Sequence, residues 1–157
     1  MMYSRITVLR FILALLGLAV LVFMLWEPHL EGRNAHATLF QIYFHDPFLA
    51  YVYIASTPFF VGLVQLWKIT GFAQRGRWLS DDTANALRMV KRCAFILIAL
   101  IAIGELFILM SDSDDRAGGV AMGVFFSIIT LAAAVTAKYK EKAVRDRIGL
   151  PLTIEVK

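Results

Sequence analysis

The sequence predicts an all-α membrane protein, a four-helix transmembrane bundle with cytoplasmic helical extensions, and three observations carry the prediction. Hydrophobic residues make up 59% of the 157 and charged residues 18%, against roughly 45–50% and about 25% in soluble chains. The apolar residues fall into four long runs rather than amphipathic stripes, and a spanning helix needs about 20 mostly apolar residues in succession. Lysine and arginine collect in alternate flanks of those runs, the asymmetry that orients helices in a bilayer.

The first span is expected from about Val8 to Trp26. Its strictly uncharged part, Phe11–Trp26, is short, but the apolar stem of Arg10 can lie along the span while its head returns to the interface. A signal peptide is the alternative, with Arg5 and Arg10 as its basic start and Ala35-His36-Ala37 as a small-residue cleavage match. The apolar run exceeds the roughly 7–15 residues of such a leader and the match lies well past its end, so a retained helix is expected. Pro47–Trp67 carries no charge, Cys93–Met110 carries only Glu105, and Gly118–Ala137 carries none. Trp26 and Trp67 close their spans as an aromatic belt would. The whole chain, residues 1–157, reads as a single transmembrane domain.

Direction follows from the flanks. Arg5 and Arg10 precede the first span, and Lys68, Arg75, Arg77, Arg88, Lys91 and Arg92 fill the 68–92 loop. Lys138, Lys140, Lys142, Arg145, Arg147 and Lys157 fill the 138–157 tail. The other two loops offer one arginine each, Arg33 and Arg116, among Glu27, Glu31, Asp46, Asp112, Asp114 and Asp115. Both termini and the second loop are therefore expected in the cytoplasm. An isoelectric point near 9.4 does not make a nucleic-acid binder of the chain, because the cations stand at span ends where they meet anionic headgroups. The single cysteine, Cys93, excludes an intrachain disulfide framework and is expected to pack as a small hydrophobe.

Ser80 reads as the N-cap of a helix whose first turn holds Asp81 and Asp82. With no proline up to Met110, that helix is expected to run unbroken for roughly 45 Å, beginning outside the hydrocarbon. The fourth span likewise continues into a basic extension over Lys138–Arg147, which Gly149 can stop. Leu152–Val156 alternates like a short strand, readable as a frayed tail or as a strand added to a partner's sheet. Gly119, Gly123 and Ser127 put small residues on one face of the fourth helix, suited to close packing within the bundle or between protomers of a homo-oligomer. Ser56-Thr57-Pro58 pairs a kink-forming proline with hydroxyls that can satisfy the carbonyls it frees.

Glu105 is the one charge inside an apolar run, about six residues or roughly 9 Å from the outer end of its helix. Depth matching brings Tyr53, Ser56 and Ser127 to its level as binding partners, with Arg116 able to reach down from the third loop. It reads either as a structural acid reaching the interface or as a polar site facing the bundle. His29, His36 and His45 in the first loop are of metal-ligand type but lack short ligand spacing, so no metal site is expected there. No phosphate-cradling loop, zinc-protease helix or nucleophile elbow occurs. No enzyme and no cofactor are expected, since no pair of candidate catalytic groups shares a span or depth.

Gly71-Phe72 through Leu79-Ser80, then Asn85-Ala86-Leu87-Arg88 leading into the third span, and the late Leu152-Thr153-Ile154 carry a resemblance. Over roughly Asp46 to Ile154 the chain resembles the bacterial domain-of-unknown-function family 2975. The tail departs from that family where Ile148-Gly149-Leu150-Pro151 replaces an acidic stretch. The resemblance implies a small four-span bacterial membrane protein, often encoded beside a Cro/C1-type helix-turn-helix regulator, and by analogy a partner-binding or signalling role. The expected function is thus non-enzymatic and regulatory, acting through a basic cytoplasmic surface of Arg75, Arg77, Arg88, Lys91 and Arg92. The alternative is a small transporter or channel subunit using Glu105 and the Pro58 kink.

Overall fold

A computed structural model describes residues 2–30, 47–110 and 116–149, with side chains in the first helix from Ile6 to Trp26. They form four α-helices: α1 (Met2–Leu30), α2 (Pro47–Gln74), α3 (Asp81–Met110) and α4 (Arg116–Ile148). All four are long and apolar enough to cross a membrane. The 33 residues of α4 span roughly 50 Å against about 30 Å of hydrocarbon, so α4 projects well beyond its apolar part. The 30-residue α3 does the same in the opposite direction of chain travel, as its unbroken pattern predicts.

Contacts between helices fix an up-down-up-down order. Arg10 near the start of α1 meets Thr70 and Gln74 at the end of α2, while Tyr53 near the start of α2 donates to the carbonyl of Met24 at 2.7 Å. Arg88 near the start of α3 meets Glu141 late in α4. The α3–α4 interface is the most extensive, α2–α3 follows, and α1–α2 is third. The helices are thus packed mainly in series, with α1 held chiefly against α2.

The α2–α3 connection is built by two caps. Gly76 adopts φ +70, and the amides of Gly76 and Arg77 return to the carbonyls of Ala73 and Phe72 at 3.2 and 2.8 Å. These are the paired bonds of a Schellman motif, which satisfy the last carbonyls of α2. Ser80 then receives the amide of Thr83 on its hydroxyl at 3.3 Å, the N-cap the sequence predicts and worth about 1 kcal/mol. The Thr83 side chain is fully buried and bonds back to the Arg77 carbonyl. Arg77 and Asp82 pair at 2.6 Å, but both side chains are about half exposed, so the pair adds little.

Burial is uneven along the bundle. Ile69, Ala84, Ala86, Leu87, Val90, Ala137 and Val144 form one core, with Leu66, Phe72 and Ile148 packed against it. That core lies where α2 ends, α3 begins and α4 ends. In the apolar windows of α1 and α2, by contrast, 0% of residues are buried within the chain. Phe11, Phe23, Ile54 and Ile128 are among the outward-facing side chains, and lipid tails are the solvent that such surfaces require. Small residues mark the close approaches between spans: a Cβ on Gly17 would stand 3.3 Å from Leu63, and one on Gly104 would stand 3.4 Å from Tyr51. Cys93 is buried beside Gly62.

Helix α2 passes through Pro58 without interruption. The carbonyl that proline deprives of a donor is that of Ile54, four residues earlier. Ser56 donates instead to the carbonyl of Tyr53 at 2.7 Å. The hydroxyl therefore acts one residue away from the place the sequence pattern assigned to it.

Candidate functional site

Polar side chains converge at two places on the α3–α4 seam. The first is at the basic end, where Glu141 sits inside the helical extensions with its side chain 6% exposed. Its Oε1 accepts from Arg88 Nε at 3.0 Å and from Arg145 Nε at 3.1 Å, and its Oε2 accepts from Lys91 Nζ at 2.9 Å. Arg145 also donates to Asn85 Oδ1 at 3.3 Å. One carboxylate thus serves three cations drawn from two helices. Burial raises the Glu141 carboxyl, but the bonds from Lys91, Arg88 and Arg145 outweigh it and hold the group below its usual value of 4.5.

The cluster was only half visible in the sequence. Arg88 and Lys91 read there as part of an outward basic surface with Arg75, Arg77 and Arg92, yet both turn toward Glu141. Arg75 and Arg92 are exposed, and Arg77 is tied to Asp82. A carboxylate in a basic tail is drawn inward because only there does it offset several cations at once. Glu141 and Arg145 stand one turn apart, the spacing at which side chains on a helix meet, and that was the signal available.

The second place is Glu105. Its carboxylate faces Gly123 of α4 so closely that a Cβ on that glycine would come within 2.9 Å of Glu105 Cγ and 3.0 Å of Cδ. Oε1 is buried and has no hydrogen-bond partner among the described residues. Gly119, one turn away, faces Ile108, where a Cβ would stand 3.2 Å from two side-chain carbons. Side chains of α3 in the same chain therefore pack against the Gly119–Gly123 face. Ser127 follows on α4, partly buried.

Tyr53 and Ser56, expected as partners of Glu105, are engaged elsewhere on the Met24 and Tyr53 carbonyls. The α2–α3 register, in which Gly62 packs against Cys93 and Gly104 against Tyr51, puts Ser56 about six residues, roughly 9 Å, along the axis from the level of Glu105. Tyr51 comes nearer that seam, donating to the carbonyl of Leu100 and packing 5.6 Å from Phe107. His36, His45 and the 152–156 alternation lie outside the described residues, as does the side chain of His29. Among the described residues no group of His, Cys, Asp and Glu could hold a metal ion.

Four apolar helices in series, with polar contacts confined to their seams and one end, define a multi-pass membrane protein. The family described as "Protein of unknown function (DUF2975)" matches residues 33–154, and the chain belongs to it. It is also similar to the uncharacterized membrane protein YoaS of Bacillus subtilis (strain 168), 26% identical over 145 residues and covering 90% of each chain. No solved structure matches it. Two of the three segments that carry the resemblance have places: Gly71–Ser80 builds the capped turn, and Asn85–Arg88 supplies both the core and the Glu141 cluster.

Proposed function

We propose that the protein is a non-enzymatic regulatory protein that holds a soluble partner at the cytoplasmic face of the bacterial inner membrane. The observation that carries this reading is where burial is concentrated. The best-packed part of the chain is the three-helix assembly beyond the spans, with its own core and buried charge cluster. A spanning bundle anchored by lipid alone does not need one, whereas a docking platform must be rigid before its partner arrives. The basic flanks support a cytoplasmic position for that assembly and both termini.

Its rim is cationic. Arg75, Arg92, Lys138, Lys140, Lys142 and Arg147 are exposed there, which favours a partner with an acidic face. The family resemblance suggests a first candidate, a Cro/C1-type helix-turn-helix regulator of the kind often encoded beside family members. The test is binding of that purified regulator to the protein in nanodiscs, with charge reversal at Arg75, Arg92 and Lys138. Saturable binding that the reversals weaken supports the reading; binding indifferent to them, or none, removes this candidate.

The buried, unpartnered Oε1 of Glu105 favours a second reading, a small transporter or channel subunit. Membrane proteins rarely keep such a carboxyl without use. Ion or solute flux into proteoliposomes that Glu105→Gln abolishes, and that needs no soluble partner, would select it over the first.

A further inference from the structure

Arg10 is the least explained charge in the bundle. It stands in the first helix where the apolar run begins, and its partners are all neutral. Nε donates to Thr70 Oγ1 at 3.1 Å and Nη1 donates to Gln74 Oε1 at 2.7 Å. The guanidinium carbon lies 4.9 Å from the centroid of the Trp67 ring. Thr70 is itself fixed, its hydroxyl donating to the Trp67 carbonyl at 2.7 Å. Among the described residues no carboxylate pairs with Arg10.

This is a held side chain, not one reaching freely for water. Three consecutive turns of α2 contribute to it, and Gly71 makes room: a Cβ there would stand 2.9 Å from Nη2. Five N–H donors belong to a guanidinium, and the bonds to Thr70 and Gln74 use two of them. The remaining donors are fixed in direction at the edge of the hydrocarbon. A cation left without an anion at that depth is costly, and phosphate oxygens match its fork.

The seam is open to lipid. Val64 and Trp67, one turn apart on α2, are 52% and 42% exposed, and Leu9 beside Arg10 on α1 is 47% exposed. Lys68, also exposed, follows Trp67. We propose that Arg10, seated on Trp67, Thr70, Gly71 and Gln74, is a binding site for the phosphate headgroup of an anionic phospholipid, whose chains lie against the α1–α2 seam. The apolar walls select a lipid over a free anion. The site would fasten α1, whose interface with α2 is smaller than those of the other consecutive helix pairs, through a molecule of the membrane itself.

Trp67 is the probe. The chain has three tryptophans, and Trp26→Phe with Trp78→Phe leaves Trp67 as sole emitter in the full-length protein. Its fluorescence is read in bilayers carrying brominated phosphatidylglycerol or brominated phosphatidylcholine. Association near Trp67 is expected to be about fivefold stronger for the anionic lipid, the usual worth of one basic residue at an anionic surface. Arg10→Gln should lower that preference. Gly71→Ala should lower it too, by displacing the guanidinium at unchanged net charge; it needs only a side-chain tip to move, so it keeps the test available if Arg10→Gln does not fold.

Equal quenching by the two lipids in the parent protein would overturn the proposal. A preference that survives Gly71→Ala would also overturn it, because diffuse attraction to all the basic residues would then suffice. Loss of the preference on adding inorganic phosphate at constant ionic strength would show a site for soluble anions and overturn the assignment to lipid.

Discussion

Arg88 of α3 and Glu141 of α4 meet at 3.0 Å across the helical extensions, 53 positions apart in the chain. Lys91 and Arg145 complete the cluster, so a single carboxylate fixes α3 against α4 beyond the membrane. Both Glu141 and Arg145 have side chains only 6% exposed. Solvent screening is weak there, and each partner depends on the others.

Removing Glu141 is therefore expected to cost more than an ordinary surface change. Glu141→Gln would leave three cations facing one another around an amide, and breaking such a buried set typically costs about 3–5 kcal/mol. Hydrogen exchange of the protein in nanodiscs checks this. Amides of residues 81–92 and 138–148 should lose protection while those of 95–105 keep theirs. Uniform loss along α3 would mean that the extension does not unfold separately.

Acid should act on the same group. The folded Glu141 carboxyl lies below its ordinary 4.5, so the cluster contributes its full stabilisation above about pH 4.5 and loses it as pH falls through the lower folded value. Thermal unfolding in detergent is expected to be flat in this contribution from neutrality to about pH 5 and to fall below it. Glu141→Gln should remove that part of the acid limb. A variant whose acid limb matches that of the parent would show that other carboxyls set it.

Much of this architecture was legible because lipid imposes it. Runs such as Pro47–Trp67 have no other stable home, and Ser80 and Gly149 mark helix ends through local chemistry, the latter at φ +72. Pairings across helices were not legible to the same degree. Tyr53 and Ser56 are matched to Glu105 by counting residues from span ends, and the actual register, with Gly104 against Tyr51, sets Ser56 about two turns from it along the axis. The α3–α4 register would have helped: from Glu105 and Gly123, five turns along each helix, about 18 residues, lead to Leu87 and Glu141, next to Arg88. That register becomes available only once one contact is known.

Gly123 tests the upper end of the same seam. With Glu105 Cγ and Cδ at 2.9 and 3.0 Å from its Cβ position, Gly123→Ala forces the carboxylate aside in a packed interface, where overpacking costs about 1–3 kcal/mol. Glu105→Ala in the same background should recover most of that loss, giving a favourable coupling of at least about 0.5 kcal/mol. Steric trapping or denaturant unfolding of the four proteins in the cycle measures it. Simple additivity would mean that Glu105 and Gly123 do not meet in the folded bundle.

The turn between α2 and α3 offers the sharpest local test, because one residue holds it in a conformation that side chains resist. Gly76 lies at φ +70 with no atom of the described residues within 4 Å of its Cβ position, so Gly76→Ala is opposed by backbone strain. An L-residue in that region costs roughly 1–2 kcal/mol. Gly76→Asn, which tolerates the left-handed region better, should recover part of it. Since the Schellman bonds position Arg77, and the Arg77 carbonyl receives Ser80 and Thr83 at 2.9 and 3.2 Å, the strain should spread into the first turn of α3. Proteolysis at Arg75 and Arg77 in proteoliposomes reads this directly. Cleavage should rise in the order parent, Gly76→Asn, Gly76→Ala, and equal rates in all three would show that the turn does not need its left-handed residue.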